Sequence, residues 1–303
     1  MDAAATTAGR GLSTSLVIST RDRPAFLLQV VESILAGTDR PTELIIIDQS
    51  AVSNPRMADL VADAGCRLHY EWSRERGLSR GRNAGIGLAT GDWLVFVDDD
   101  VIVPTDWFRR IVDAAVAAGP WTVITGRVES GDAERPGAFA PSLSLSETVA
   151  VHRGRPGRDV LAPLNMAIHR DAFAEVGLFD VRLGAGAHFP SSEDNDLGYR
   201  LLEAGYSVAF DPSIVVVHRA WRAPGALLPL RWSYGRGQGA YFAKHASLRD
   251  RYMLRRLWAD LWRHVRRSPR RALARPRDGA ADIVYSAALL MGAAEWLVRR
   301  PRS

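Results

Sequence analysis

One cysteine, Cys66, stands among the 303 residues. An intrachain disulfide is therefore excluded, and the sequence fits a reducing compartment. Cys66 reads as a small buried side chain. The N-terminus lacks a basic stretch followed by an apolar one, so no secretory signal is expected. Residues 1–13 are small and polar and are expected to be disordered. The longest apolar run, Ile283 to Ala294, falls short of the about 20 residues that a bilayer span needs. Glycine is missing from the segment STRDRPAF after the first expected strand, which argues against a glycine-rich phosphate loop there. Internal repeats are absent too.

What is present is an ordinary globular composition. With 47% hydrophobic and 24% charged residues, wholesale disorder is excluded. The length suits one large domain with an appendage, or two small ones. The net charge of +5 is mostly local: from Arg249 to Ser303 there are fourteen Arg against five Asp or Glu. A basic tail implies an anionic neighbour, such as membrane lipid, a phosphorylated substrate or nucleic acid. A solvated helix surface explains it equally well. No aromatic–basic RNA motif accompanies it, so nucleic acid is not expected.

Period analysis gives strands over 15–19, 43–48 (ELIIID), 67–72 and 93–97 (WLVFV). Between them lie helical patterns from Asp22–Pro24 to Leu35, from Asn54 to Ala64, and from a Ser79 cap to about Ala89. Alternation of this kind, with continuously apolar strands, predicts a largely parallel sheet covered on both faces. Ligands bind at the carboxyl ends of such strands, where Thr20-Arg21, Asp48 and Asp98 fall. Further on, a helix is expected over 104–118 and a strand over 122–128. A surface loop over 130–160 follows, then a strand over 165–169 and a short helix over 171–176. Another helix over 191–204 precedes a strand over 213–218. After Pro229 the chain turns to long Arg- and Trp-rich helices. The expected division is 1–13, 14–228 and 229–303.

Three constellations carry chemistry. Asp98-Asp99-Asp100 follows a buried strand, and adjacent carboxylates raise one another's pKa unless a cation or hydrogen bonds compensate. Oxygen ligands of this kind suit magnesium or manganese beside a substrate phosphate, whereas a helix cap or solvated loop would need no metal. His218 ends the strand IVVV, where it is either a metal ligand or a structural hydrogen-bonder. Glu193-Asp194-Asn195-Asp196 opens a helix, which the helix dipole alone would favour. Asp194 shares a face with Leu197 and Leu201 and can point inward as a general base.

Taken in order, LVISTRDRPAFLLQVVESIL, ELIIIDQS, GLSRGRNAGIGLATGDWLVFVDDD, NMAIHRDAFAEVGLFD and SSEDNDLGYRLLEAGY, then the strand ending in His218, resemble glycosyltransferase family 2 over about two-thirds of the chain. That resemblance implies a GT-A fold (Rossmann-like, with a mostly parallel sheet flanked by helices) and a C-terminal helical extension. It implies an inverting, non-processive bacterial enzyme, of hexosyl or rhamnosyl type, using a nucleotide-sugar donor and a divalent cation (Mn or Mg). By the same resemblance Thr20, Arg21, Asp48, Arg82, Asn83 and Asp99 serve the nucleotide. Asp98, Asp100 and His218 hold the metal, and Asp194 is the base with Glu193 its partner. The acceptor is expected to be a saccharide or lipid-linked saccharide of cell-envelope polysaccharide synthesis. The protein is expected in the cytoplasm; its Arg-rich end either lies on the inner face of the membrane or packs against the catalytic domain.

Departures are local. Arg21-Asp22 and Gln49-Ser50 replace commoner residues of the base pocket. Leu228-Pro-Leu-Arg231-Trp232 lacks the glutamine of a processive synthase signature. Tyr234–His245, YGRGQGAYFAKH, either brings backbone close to a phosphate or permits tight helix packing. A nucleotidyltransferase or a non-catalytic sugar- or nucleotide-binding protein are the competing readings; donor hydrolysis or sugar transfer separates them.

Overall fold

The computed structural model describes residues 5–6, 12–54 and 65–299. The helix expected over 54–64 lies, apart from Asn54, outside the described residues. Within the expected unstructured start, β1 (Ala5–Thr6) pairs in parallel with β3 (Asp39–Arg40). The main sheet begins with β2 (Thr14–Thr20), β4 (Glu43–Asp48), β5 (Arg67–Trp72) and β6 (Trp93–Asp98), ordered β5-β4-β2-β6 and all parallel. β2, β4 and β6 are the buried apolar runs of the sequence, whereas β5 is an edge strand with its residues partly exposed. Leu16 and Ile18 of β2 face one layer while Val17 faces the other, so both faces are covered.

Beyond β6 the sheet becomes mixed. β7 (Val101–Ile102), β8 (Thr122–Ala133), β9 (Ala150–His152), β10 (Met166–His169) and β11 (Ser207–Ala220) complete it, in the order β6-β10-β8-β11-β7. β10 runs antiparallel to both of its neighbours, and β8 and β11 are parallel. β7 and β9 each pair antiparallel with β11. β8 and β11 are each longer than their sequence patterns suggested, because their ends alternate in burial and carry polar residues. β8 and β9 also occupy parts of the expected 130–160 loop.

One layer packs α1 (Pro24–Leu35) against the sheet through Leu27, Val30, Val31 and Ile34. α2 (Leu78–Leu88) lies over β2 and β4. Ser79 is not its cap: Gly77, at φ 124°, takes that place, and the buried Ser79 hydroxyl donates to Leu183 O. α3 (Trp107–Ala118) joins the α1 layer; α4 (Arg170–Val176) and α5 (Glu193–Glu203) cover the other face through Phe173, Leu197 and Leu201.

The last three helices are α6 (Leu227–His245), α7 (Tyr252–Ala274) and α8 (Pro276–Val298). α6 starts before Pro229, so it crosses the expected 228/229 division. It lies unusually close to α8. A Cβ on Gly239 would overlap the Leu289 carbonyl oxygen, and one on Gly292 would overlap that of Arg236. Gly239→Val should therefore cost about 3 kcal/mol, the upper end for overpacking, seen as a lower urea midpoint. An unchanged midpoint would mean the helices can separate freely. By length and composition α8 can cross a membrane, which corrects the expectation from its central apolar run; 44% of that stretch is buried inside the protein.

Candidate active site

The carboxyl ends of β2 and β6 open into a cleft of about 1480 Å³. Thr20, Arg21, Asp98, Asp100, Glu193, Asp194 and His218 all line it. Asp48, Arg82 and Asp99 stand behind this lining and are buried.

Strand pairing sets the positions. Ser19 is in register with Asp98, and Thr20 with Asp48. The Thr20 hydroxyl donates to Asp99 Oδ2 at 2.6 Å. Asp48 Oδ1 accepts from Ser50 N at 2.9 Å, and its Oδ2 accepts from the Tyr70 hydroxyl at 2.7 Å. Tyr70 is pushed up to about 12, by burial first and then by this carboxylate. Asp48 thus orders the Gln49-Ser50 turn, and Gln49 is the residue that reaches the cleft.

The three aspartates have separate partners. Asp99 is fully buried, with Arg23 Nη2 at 2.6 Å. Burial pushes Asp99 up to about 7, with Arg23 opposing and Asp100 adding to the rise. Asp100 Oδ2 accepts from Arg23 at 2.7 Å and from Trp221 Nε1 at 3.0 Å. Burial would raise Asp100, but His218, Arg23 and Trp221 outweigh it and hold the carboxyl well below the usual range. Asp98 is the more open member, and its Oδ1 accepts from Arg82 Nη2 at 2.8 Å.

Arg82 also donates through Nη1 to Glu193 Oε1 at 3.0 Å. Burial works against its charge, yet Asp98, Glu193 and Asp194 more than restore it. Glu193 is raised by burial despite Arg82. Asp194 is raised to about 8, by burial and then by the adjacent Glu193. A carboxyl of this kind suits proton uptake near neutral pH.

Two carboxylates and an imidazole suit a hard divalent ion in donor type. His218 Nε2 is 3.5 Å from Asp100 Oδ1. That is long for a hydrogen bond and near the ~3 Å separating adjacent ligands held ~2.1 Å from one octahedral ion. Asp98 turns to Arg82 instead. Among the described residues, no three carboxylate, imidazole or thiol groups are drawn together as a metal centre. The expected trio shares one cleft, but only Asp100 and His218 adjoin.

Asn83 departs from expectation. Its amide donates to Phe179 O and accepts from Phe179 N, at 2.9 and 3.0 Å, and it does not line the cleft. It fixes the chain before Asp180 rather than facing a nucleotide.

Sequence reading missed Arg23, Trp221, Arg222 and Gln238. Arg222 lines the cleft, stacks on Trp221 at 4.6 Å, and has no side-chain hydrogen bond or ion pair among the described residues. Its signal was an HRAWR string at a strand's end. Gln238 explains the glycine-rich helix segment. Its Oε1 accepts from Ser192 and Asn195, both at 2.8 Å, and its Nε2 donates to Asp159 at 2.7 Å. Gly237 lets the α6 backbone abut Ser191, where any Cβ would overlap. Ser192 itself sits at φ 70°, a left-handed conformation that costs a non-glycine residue about 1–2 kcal/mol. About two turns on, Lys244 and His245 hold Asp196 at 2.6 and 2.7 Å. α6 therefore pins the start of α5, and with it Glu193 and Asp194.

Among curated proteins, a glucosyl-dolichyl phosphate glucuronosyltransferase of Haloferax volcanii is 30% identical over 182 residues, covering 57% of this chain and 58% of that protein. Succinoglycan biosynthesis protein ExoA of Rhizobium meliloti is 30% identical over 166 residues, covering 53% and 48%. These matches span only about half the length of those relatives. Among solved structures, a mannosyltransferase from Pyrobaculum calidifontis in complex with GDP-Man and Mn2+ matches with a TM-score of 0.60 at 16% identity, over 96% of this chain and 88% of that one. At that identity the likeness shows the fold, which is GT-A. The profile of glycosyl transferase family 2 matches residues 15–177, more than half of the sequence, and the chain belongs to that family.

Proposed function

We propose that this protein transfers a sugar from a nucleotide-diphosphate sugar to an acceptor hydroxyl, with inversion at the anomeric carbon. The observation that carries the reading is Arg82. One guanidinium spans Asp98 at 2.8 Å and Glu193 at 3.0 Å. The expected diphosphate end and the partner of the expected base thus lie within one side chain's reach in a single cleft, with Asp194 next in sequence to that partner.

Asp98, Asp100 and His218 would hold a divalent cation, which would supply Lewis-acid neutralisation of charge on the departing diphosphate. Asp194 takes the acceptor's hydroxyl proton as that oxygen bonds to the anomeric carbon. The bond from that carbon to the diphosphate oxygen breaks on the opposite face, and the electron pair leaves with the nucleoside diphosphate. Arg82 favours the charged form of Glu193 and holds it in place, and a charged Glu193 in turn makes the Asp194 carboxyl more basic. Thr20, Gln49 and Arg21 border the end of the cleft where the nucleoside would lie; Arg222 faces the charge that develops.

Calorimetry with manganese and a panel of nucleoside diphosphates tests the assignment. Asp98→Ala and Asp100→Ala are each expected to weaken metal-dependent binding at least tenfold, a loss of about 1.4 kcal/mol. Unchanged binding in both would remove these residues from the metal site. A donor-hydrolysis screen then separates transfer from nucleotide binding alone.

A further inference from the structure

The last two helices carry a surface that the active site does not use. On α7, Trp258, Trp262, Val265 and Leu273 are exposed, and helical spacing puts them on one face. Arg255, Arg263, Arg266 and Arg270 are exposed beside them. On α8, every exposed residue from Ile283 to Val298 is apolar, the large ones being Ile283, Leu290, Met291, Leu297 and Val298. The two helices form one hairpin: the Tyr285 hydroxyl donates to Asp260 at 2.7 Å, and that of Ser268 to Gly279 O at 3.0 Å.

The charges are sorted by direction. Asp260 and Asp282 are buried, and Asp282 meets Arg231, Arg267 and Arg271 on the inner side. Asp278 pairs with Arg271, and Glu295 with Arg236 and His188. The outward side is left with tryptophan, aliphatic side chains and arginine. A protein partner would need a matching apolar face plus its own acidic rim. An anionic bilayer surface supplies both over any area: headgroups for arginine, the acyl boundary for aliphatic residues, and the interface between for tryptophan.

We propose that the outer face of the α7–α8 hairpin docks on an anionic lipid surface, with the helices lying in its plane. α8 does not leave the fold to span it, because Gly239 and Gly292 lock its inner side against α6. The same hairpin also supplies the cleft's far wall, through Asp260, His264 and Tyr285. On the transferase reading, an acceptor anchored in that lipid approaches Asp194 from this side.

Vesicle co-sedimentation of the full chain tests the docking without any assay of transfer. Vesicles of phosphatidylcholine with phosphatidylglycerol should bind the protein at low salt, and pure phosphatidylcholine should not. High salt should release it. Trp258→Ala with Trp262→Ala, and Arg266→Glu with Arg270→Glu, should each lower partitioning on the order of tenfold or more with the melting temperature unchanged. Failure of the wild type to sediment with anionic vesicles at low salt overturns the proposal. So does wild-type binding by both double variants, or a solution dimer that the tryptophan variant abolishes while vesicles bind neither protein.

Discussion

Asp194→Asn is expected to lower kcat about 10²–10⁴-fold, with nucleoside diphosphate binding and folding retained. The amide matches the carboxylate in size but cannot take a proton. Two further readouts separate loss of a base from loss of structure. First, wild-type activity should climb with pH along a limb displaced well above 3.8, because burial and Glu193 raise the Asp194 carboxyl. Second, the stability effect has a definite sign. A carboxyl whose folded pKa is raised contributes its stability below the unfolded value, near 3.8, and loses it as pH rises through the raised value. Asparagine has no such dependence, so the variant should melt no lower than wild type at pH 8, and higher relative to it than at pH 4. Near-normal transfer by Asp194→Asn would end the assignment.

Arg82→Met should be the most destabilising exchange in the site. It leaves Glu193 buried and Asp98 without the guanidinium that both share. Removing one member of a buried ion pair costs about 3–5 kcal/mol; methionine restores part of the packing on Phe179, which the guanidinium faces at 5.4 Å. The cost should grow with pH. Burial already raises Glu193 in the presence of Arg82, and without it the acid keeps its proton to higher pH. Stability of the variant is then greatest in acid and falls as Glu193 ionises. Urea midpoints at pH 5 and pH 8 measure this. A loss equal at both would mean that Arg82 only fills space.

Much of this was legible in the sequence because the signals are local. The LIIID and WLVFVD runs are strands since every residue is apolar up to a terminal carboxylate, and that carboxylate necessarily emerges at the strand's carboxyl end. The start of α5 was equally readable from SSEDND. What was not legible depends on the direction of side chains set by distant backbone. Asn83 follows Arg82 by one residue, and the helix turns the two to opposite tasks: one bridges the acids, the other binds Phe179. Ser79 looked like a cap but lies one step inside a helix that Gly77 begins. Arg23 meets Asp99 and Asp100 across a gap in sequence of more than seventy residues, which no spacing rule announces. The strand over 165–169 was expected, but the antiparallel direction of β10 follows from sheet assembly rather than from its own four residues.

The glycine seam between α6 and α8 has a consequence for how such a gene can change. The helix that grips Ser192, Asn195 and Asp196 at the base is itself held from behind by α8, through contacts that admit no side chain larger than hydrogen. A premature stop between Asp250 and Tyr285 would strip that backing and part of the cleft's wall together. The basic C-terminus is thus not a dispensable address label fused to an enzyme. Lineages that no longer need its outer surface should lose the arginines and tryptophans one at a time while keeping Gly235, Gly239 and Gly292.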